Sequence, residues 1–520
     1  MMLQTTGCGE SGVDGAQTGQ TGESVDSGTA GTDGTGAQAE PQDGQTGGNG
    51  NGEEVDGTAE QMEVVDVTDT IPLNIIEDNY RTYYEVFVYS FCDSDGDGIG
   101  DLQGLISKLD YINDGDDTTD TDLGCNGIWL MPIGPSPTYH KYDVMDYYDI
   151  DSDYGTMEDF KELLAECDKR GIKVIMDLVL NHSSSQNPWF TEACAYLKEL
   201  GDGEPDTAVC PSFDYYHFSR EQGAGCYAVE GTDWYYEAQF WSEMPDLNLD
   251  SEALRAQIEE ITGFWLDMGI GGFRLDAVKE FYTGNPQANI AFLDWFTTMV
   301  KEQKEDAYLV GEAWLDINDY AQYYGSGIDS LFNFAFADKD GIISKVVNGS
   351  PASRYGTVSA SLQETFGQYN ENYIDAPFYT NHDMGRSAGY YAGENSEKQT
   401  KLAGAMNLFM SGSAFLYYGE ELGMKGAGKD ENKRAPMYWS TDAEKAGMCD
   451  VLKKTWEGSE VLLVFHTGAE TAELDMSGIM VNSAEISEGN IRGALESGEE
   501  RIVLSNGTIT MPGYSVLVLK

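Results

Sequence analysis

Eight side chains that could move protons or carry fixed charge stand at the ends of short apolar runs. Asp177, Asn181 and His182 close "KVIMDLVLNH" (173–182), Arg274 and Asp276 close "GGFRLDA" (271–277), Glu312 falls in "YLVGEAW" (308–314), and His382 and Asp383 close "APFYTNHD" (376–383). One such acid alone would read as a solvated or capping residue; the whole set at run ends points to one pocket. Arg274 precedes Asp276 by two positions, so both face the same side of a strand. A fixed cation there holds Asp276 ionised. Glu312, between Gly311 and the apolar "AW", is placed to keep a raised pKa. An ionised carboxylate beside a protonated one is the equipment of nucleophilic and general acid–base catalysis.

These residues need a scaffold that brings run ends together. Besides the runs above, strand-like segments are "EVFVYSF" (85–91), "GIWLMP" (127–132), "SLFNFAF" (330–336) and "SAFLYYGEE" (413–421). Between them lie stretches such as "MEDFKELLAECDKRG" and "SEALRAQIEEITGFWLDMG", whose apolar residues recur at helical spacing. Eight strands alternating with helices imply an α/β fold, a (β/α)8 TIM barrel over 76–440, with active residues at the carboxyl ends of its strands. After the third strand roughly sixty residues pass before the next regular helix, which reads as an inserted subdomain at about 183–243 covering the barrel mouth. From 451 to 520 the runs "SEVLLVFHTG", "RIVLSNGTIT" and "YSVLVLK" alternate, with an Asn-Gly turn in "SNGT", as expected of a small antiparallel β-domain.

Composition sets limits. The 520 residues exceed one ordinary core of ~250–300. Thirty basic against ninety acidic residues give a formal charge of -60, which argues against nucleic acid or anionic membrane surfaces as partners. No run approaches the ~20 apolar residues of a membrane span. The first seventy residues hold fourteen acidic and no basic or aromatic side chains. Such a segment buries too little apolar surface to offset its ordering entropy, so 1–75 reads as a disordered acidic tether. Cys194, Cys210 and Cys226 could include a disulfide or be free thiols.

In order along the chain, "KYDVMDYYDID" (141–151), "DLVLNH", "MPDLN" (244–248), "GFRLDAVKE", "GEAW" and "TNHD" make the sequence resemble the α-amylase family of glycoside hydrolases over residues 80–440. The resemblance implies retaining cleavage of α-1,4 bonds in starch, maltodextrins or related α-glucans. It makes Asp276 the nucleophile, Glu312 the acid/base, and Asp383 the clamp on the sugar hydroxyls at the cleaved position. It assigns substrate contacts to Tyr142, as a stacking ring, and to His182, Arg274, Lys279 and His382. Tyr139 stands where exo-acting α-glucosidases carry an aspartate, "MPDLN" replaces "QPDLN", and Ala277 replaces the valine associated with α-1,6 cleavage. Glu280 stands where many α-amylases have histidine, which keeps a neopullulanase-like or oligo-glucosidase specificity open. Transglycosylation, and a non-catalytic glycan-binding role, are further readings.

The loop "CDSDGDGIGDL" (92–102) interleaves carboxylates with glycines as a hard cation requires. It is no EF-hand, because Gly104 stands where the twelfth-position glutamate belongs and a strand precedes it. Relatives of the oligo-glucosidase type carry a loop of this pattern after the first barrel strand. By that resemblance Asp93, Asp95, Asp97 and Asp101, with the Ile99 carbonyl, hold Ca2+, and Asn181 belongs to a second site whose other ligands stay open. "TTGC" ahead of a polar linker resembles the end of a bacterial lipoprotein signal, with Cys8 lipidated and the enzyme secreted or at the cell surface. Beyond "DENKRAPMYW" (430–439) the resemblance breaks. Either "DAEKAGMCDVLKKTW" (442–456) is a shortened eighth helix, or a segment is missing and the eighth strand is partly uncovered, at a cost in stability.

Overall fold

The computed structural model describes residues 77–439 except 117, 120 and 394, and the strands with some adjoining residues between 451 and 519. The expected tether, Cys8 and residues 440–450 lie outside the described residues. Eight parallel strands form one sheet: β1 (Thr82–Val86), β2 (Gly127–Leu130), β3 (Lys173–Leu178), β4 (Gly272–Leu275), β5 (Tyr308–Gly311), β6 (Ser330–Phe332), β7 (Ile374–Ala376) and β8 (Ala414–Tyr417). Its order is β7-β6-β5-β4-β3-β2-β1-β8. The ends meet where the Ser413 and Phe415 amides donate to the Asp375 and Pro377 carbonyls, each at 2.8 Å, so the sheet closes into the expected (β/α)8 barrel.

Strand periodicity of two decides what fills it. Tyr83, Trp129, Ile175, Tyr308, Val310, Phe332, Phe378 and Phe415 pack together inside. Tyr83 stacks between Tyr308 at 5.2 Å and Phe415 at 4.9 Å. One period beyond Tyr83, Ile175 and Val310 stand Glu85, Asp177 and Glu312, so the apolar plug floors a charged layer at the carboxyl end. The outer helices are set by their own signals. Met157–Lys169 begins in a Thr156/Asp159 capping box, and Glu252–Met268 begins at Ser251 and ends at Gly269 with φ +111°.

Several expectations shift. The first strand is Thr82–Val86, and Val88–Phe91, expected to continue it, turns helical. The long connection after β3 is not without helix: Pro188–Leu200 is one, with Asn187 capping it and Pro188 at its first turn. Three short antiparallel strands (Phe218–Ser219, Tyr235–Glu237 and Cys226–Ala228) follow, packed through Leu197, Val229 and Trp234. Bridges His182↔Asp246 and Tyr216↔Leu247 bind this region to the end of β3. Val451–Trp456 is a strand paired antiparallel with Ser459–His466, so the second half of the proposed shortened eighth helix is not helical. A three-stranded sheet holds the hairpin Val503–Ser505/Thr508–Met511, with Gly507 in its turn at φ +80°. Among the described residues, no helix is long and apolar enough to cross a membrane.

Gly272 shows how tightly β4 meets β5. Its φ is +146°, and a Cβ there would lie 1.9 Å from the Tyr308 carbonyl oxygen. Gly272→Ala must therefore displace backbone in the strand that carries Arg274, and should destabilise the protein by about 3 kcal/mol or more. Thermal or urea unfolding checks this; an unchanged midpoint would contradict the close approach.

Candidate active site

Arg274 projects from β4 into the charged layer and is fully buried. Nη1 donates to both oxygens of Asp177 at 2.9 Å and to Asp276 Oδ1 at 2.6 Å, while Nη2 donates to Glu312 Oε2. One cation thus holds three carboxylates, each from a different strand or strand end. A single guanidinium cannot neutralise all three in a dry site. Burial pushes Asp177 up to about 6 and Glu312 up to about 7, against the opposing pull of Arg274 in both cases. Glu312 is accordingly a carboxylic acid for part of the time at neutral pH. The Asp276 and Glu312 side chains keep 14% and 11% exposure, whereas that of Asp177 has none. The next residue, Ala277, has φ +44°, a left-handed turn that aims the Asp276 carboxylate at the cavity and disfavours a β-branched side chain.

A second charged chain crosses the barrel. His382 is buried, with Nδ1 2.6 Å from Glu85 Oε1, and Nε2 2.9 Å from the Tyr142 hydroxyl and 3.2 Å from Asp383 Oδ2. Burial disfavours its charged form, yet Asp383 and Glu85 outweigh it and raise His382 to about 10. Asp383 feels the same burial, but His382 and Arg434 hold it well below the usual carboxylate range. Arg434 Nη2 donates to Asp383 Oδ1 at 2.8 Å. The Tyr142 hydroxyl donates to Asp177 Oδ2 at 3.0 Å, which joins the two chains. Its ring lies along His382, with centroids 5.6 Å apart and planes inclined by 19°.

The carboxylates Asp276, Glu312 and Asp383 face one cavity of about 450 Å³. Tyr142, His182, Ala277, Lys279 and Glu280 also line it. Burial lowers the His182 pKa, so its ring is neutral, and Nε2 has no hydrogen-bond partner among the described residues. Lys279 pairs with Glu280 at 3.1 Å. Asp276, Glu312, Asp383, Tyr142, His182 and Lys279 thus line the cavity, whereas Arg274 and His382 are buried behind it and meet it only through those side chains. Sequence reasoning passed over Glu85, inside a strand-like run, and Arg434, in a loop remote from the rest. It also missed Phe240 from the inserted region and Trp314, stacked on Phe334 at 5.0 Å, which line the cavity together with Met244, His140 and Asp430. The signal available for Glu85 was a charge where a buried strand should be apolar.

The acidic loop lies apart from this cavity. Oxygens of Asp93, Asp95 and Asp101 gather within 4.8 Å of one another. Asp97 is not in that group; its carboxylate accepts from the Ile99 amide at 2.8 Å. None of the four forms an ion pair among the described residues. A Cβ at Gly104 would lie 1.9 Å from the Cys92 carbonyl oxygen, so no side chain could complete an EF-hand there. Three hard oxygens so close, without a counter-charge, fit a hard cation. Asn181 is buried with its amide 3.4 Å from Asp246, which burial pushes up to about 7, and no group of three acidic ligands forms there among the described residues. Cys194, Cys210 and Cys226 are free thiols.

The α-amylase catalytic-domain family model matches residues 85–459. "Alpha-amylase 3" of Dictyoglomus thermophilum is 42% identical over 363 residues, covering 69% of this chain and 67% of its own. A "Glucan 1,6-alpha-glucosidase" of Streptococcus pneumoniae is 32% identical over 369 residues, covering 66% and 64%. These matches span about two thirds of the relatives' lengths. The solved structure of Eubacterium rectale Amy13B is similar with a TM-score of 0.69 at 46% identity, over 86% of this chain and 96% of that one. The order of strand-end residues, the barrel that gathers them and these matches agree: the chain belongs to the α-amylase family.

Proposed function

We propose that this protein hydrolyses α-1,4-glucosidic bonds in starch-type α-glucans with retention of configuration. The observation that carries the reading is Arg274 bound at once to Asp276 and Glu312 beneath an open cavity. Retaining enzymes need their two carboxyls only about 5–5.5 Å apart, so that one can attack while the other protonates. A shared guanidinium favours that closeness. The Asp276 carboxylate, hydrogen-bonded to Arg274, attacks the anomeric carbon as Glu312 donates its proton to the leaving oxygen. Glu312, now a carboxylate, takes a proton from the water that releases the glycosyl-enzyme. Asp383, pinned by His382 and Arg434, faces the sugar hydroxyls, and the free Nε2 of His182 offers a further hydrogen bond. Tyr142 supplies its ring face, and Lys279 reaches the leaving-group side.

The linkage preference rests on two contacts. The Tyr139 hydroxyl accepts from Arg434 Nη1 at 3.3 Å, so an aromatic backs the lining residue Arg434 at the position where exo-acting relatives carry an aspartate. Ala277 leaves room beside Asp276. Relatives that carry α-1,6 names make 1,6 cleavage the second reading. A glycan-binding protein without turnover is disfavoured, because it would have no use for a strained turn and a half-protonated acid beside Asp276.

We further propose that Asp93, Asp95 and Asp101 bind calcium, with Asp97 and the Ile99 carbonyl completing the set, to brace the loop after β1 away from bond cleavage. The tether is proposed to end in a lipid on Cys8, placing the enzyme outside the cell or at its surface.

Asp276→Asn or Glu312→Gln should lower kcat on soluble starch about 10^3-fold or more, at least ~4 kcal/mol of transition-state stabilisation. The wild-type alkaline limb should fall near pH 7, where Glu312 loses its proton. Full activity in either variant would refute the roles, and products from starch, pullulan and maltotriose would decide the linkage. Chelator should lower the melting temperature before it slows catalysis; an unchanged melting curve would remove the calcium proposal. Mass spectrometry of the protein from its native host should find a lipid on Cys8, and an unmodified Cys8 would exclude the anchor.

A further inference from the structure

Glu85 is hard to explain as packing. It stands on β1 between Trp129 of β2 and Tyr417 of β8 in register, 1% exposed, in a strand whose other inward residue, Tyr83, belongs to the apolar plug. A carboxylate so placed is costly unless paired and hydrogen-bonded. Its side-chain partner is His382 Nδ1, at 2.6 Å. The ring is fixed from other sides too. Trp129 meets it edge-on at 5.8 Å, and Arg434 Nε donates to the His382 carbonyl at 3.2 Å. What Nε2 can do then depends on Nδ1, because a neutral imidazole has only one N–H to share between them.

We propose that Glu85 is a positioning residue for the reaction: a buried anion that keeps both nitrogens of His382 protonated, so that Nε2–H is always available to hold Asp383 against the sugar. The charges around the ring agree. Glu85 from β1 and Asp383 from the β7 loop contact it, and Asp177 and Glu312 add negative charge from β3 and β5. Arg274 and Arg434 oppose it, but each is engaged by carboxylates of its own. The Tyr142 hydroxyl donates to Asp177, so its oxygen, which also accepts from Arg274 Nη1 at 3.4 Å, has a lone pair for Nε2–H. With Glu85 neutral, Nε2 would face Asp383 unprotonated for part of the time, as two acceptors without a hydrogen between them. The raised pKa of His382 is the same arrangement expressed as protonation.

The proposal rests on the assignment of Asp276, Glu312 and Asp383, and its test separates the two. Glu85→Gln keeps an oxygen that can accept from Nδ1–H and removes only the charge. A structural role lowers activity by the same factor at every pH. A charge role makes the variant to wild-type ratio of kcat/KM fall between about pH 6 and about pH 9, by up to about tenfold per pH unit once His382 deprotonates. A ratio constant over that range would overturn the proposal. Independently of turnover or of the variant's folding, histidine-selective 15N spectra of the wild-type protein read the ring directly. The chain has five histidines, so His382→Asn identifies the signal by difference. Both ring nitrogens protonated at about pH 8 is the expected result. A neutral single tautomer there would overturn the proposal, while loss of turnover assignments with a doubly protonated ring would overturn only the catalytic reading.

Discussion

One guanidinium facing three carboxylates is the constraint on which the site depends. Arg274 is fully buried, so its charge must be met by Asp177, Asp276 and Glu312, which among the described residues pair with no other cation. Removing one partner of such a group leaves an uncompensated buried charge, which costs far more than a surface ion pair. The same imbalance gives the residues different work. Two extra negative charges are costly in a dry layer, and burial raises the pKa values of Asp177 and Glu312.

The barrel makes this arrangement possible through its layers. Aromatic rings close the interior below, and Glu85, Asp177 and Glu312 each stand one strand period above an apolar residue of that plug. Gly272 lets β4 approach β5 closely enough for Arg274 and Glu312 to meet. Asp383 arrives from the opposite side of the barrel and draws its own cations, His382 and Arg434. The Tyr142 hydroxyl, bonded to Asp177 and His382, ties the two halves into one network.

Much of this was legible before any coordinates. Period-two runs and intervening amphipathic helices sufficed for the barrel, and strand-end position found Asp276, Glu312, Asp383, Arg274 and both histidines. Other features depended on distant partners. Glu85 looks like one more residue of a strand until β7 brings His382 against it. Arg434 is one of two adjacent cations in "DENKRAP" until the β8 loop folds over Asp383. Val451–Trp456 could be helical by its Lys and Leu content, and its pairing with Ser459–His466 decides otherwise. In the acidic loop the spacing of aspartates was readable, but the Asp97 carboxylate also accepts from the Ile99 amide, a local competition that a ligand pattern does not reveal.

The central claim is that Arg274 sets Asp276 and Glu312 as a close nucleophile and acid pair. Proton NMR of a maltooligosaccharide digest in its first minutes, before mutarotation, tests it most directly. The account predicts that the newly formed reducing end appears first as the α-anomer, as double displacement through Asp276 requires. Initial release of the β-anomer would mean that water attacks directly, and would contradict it.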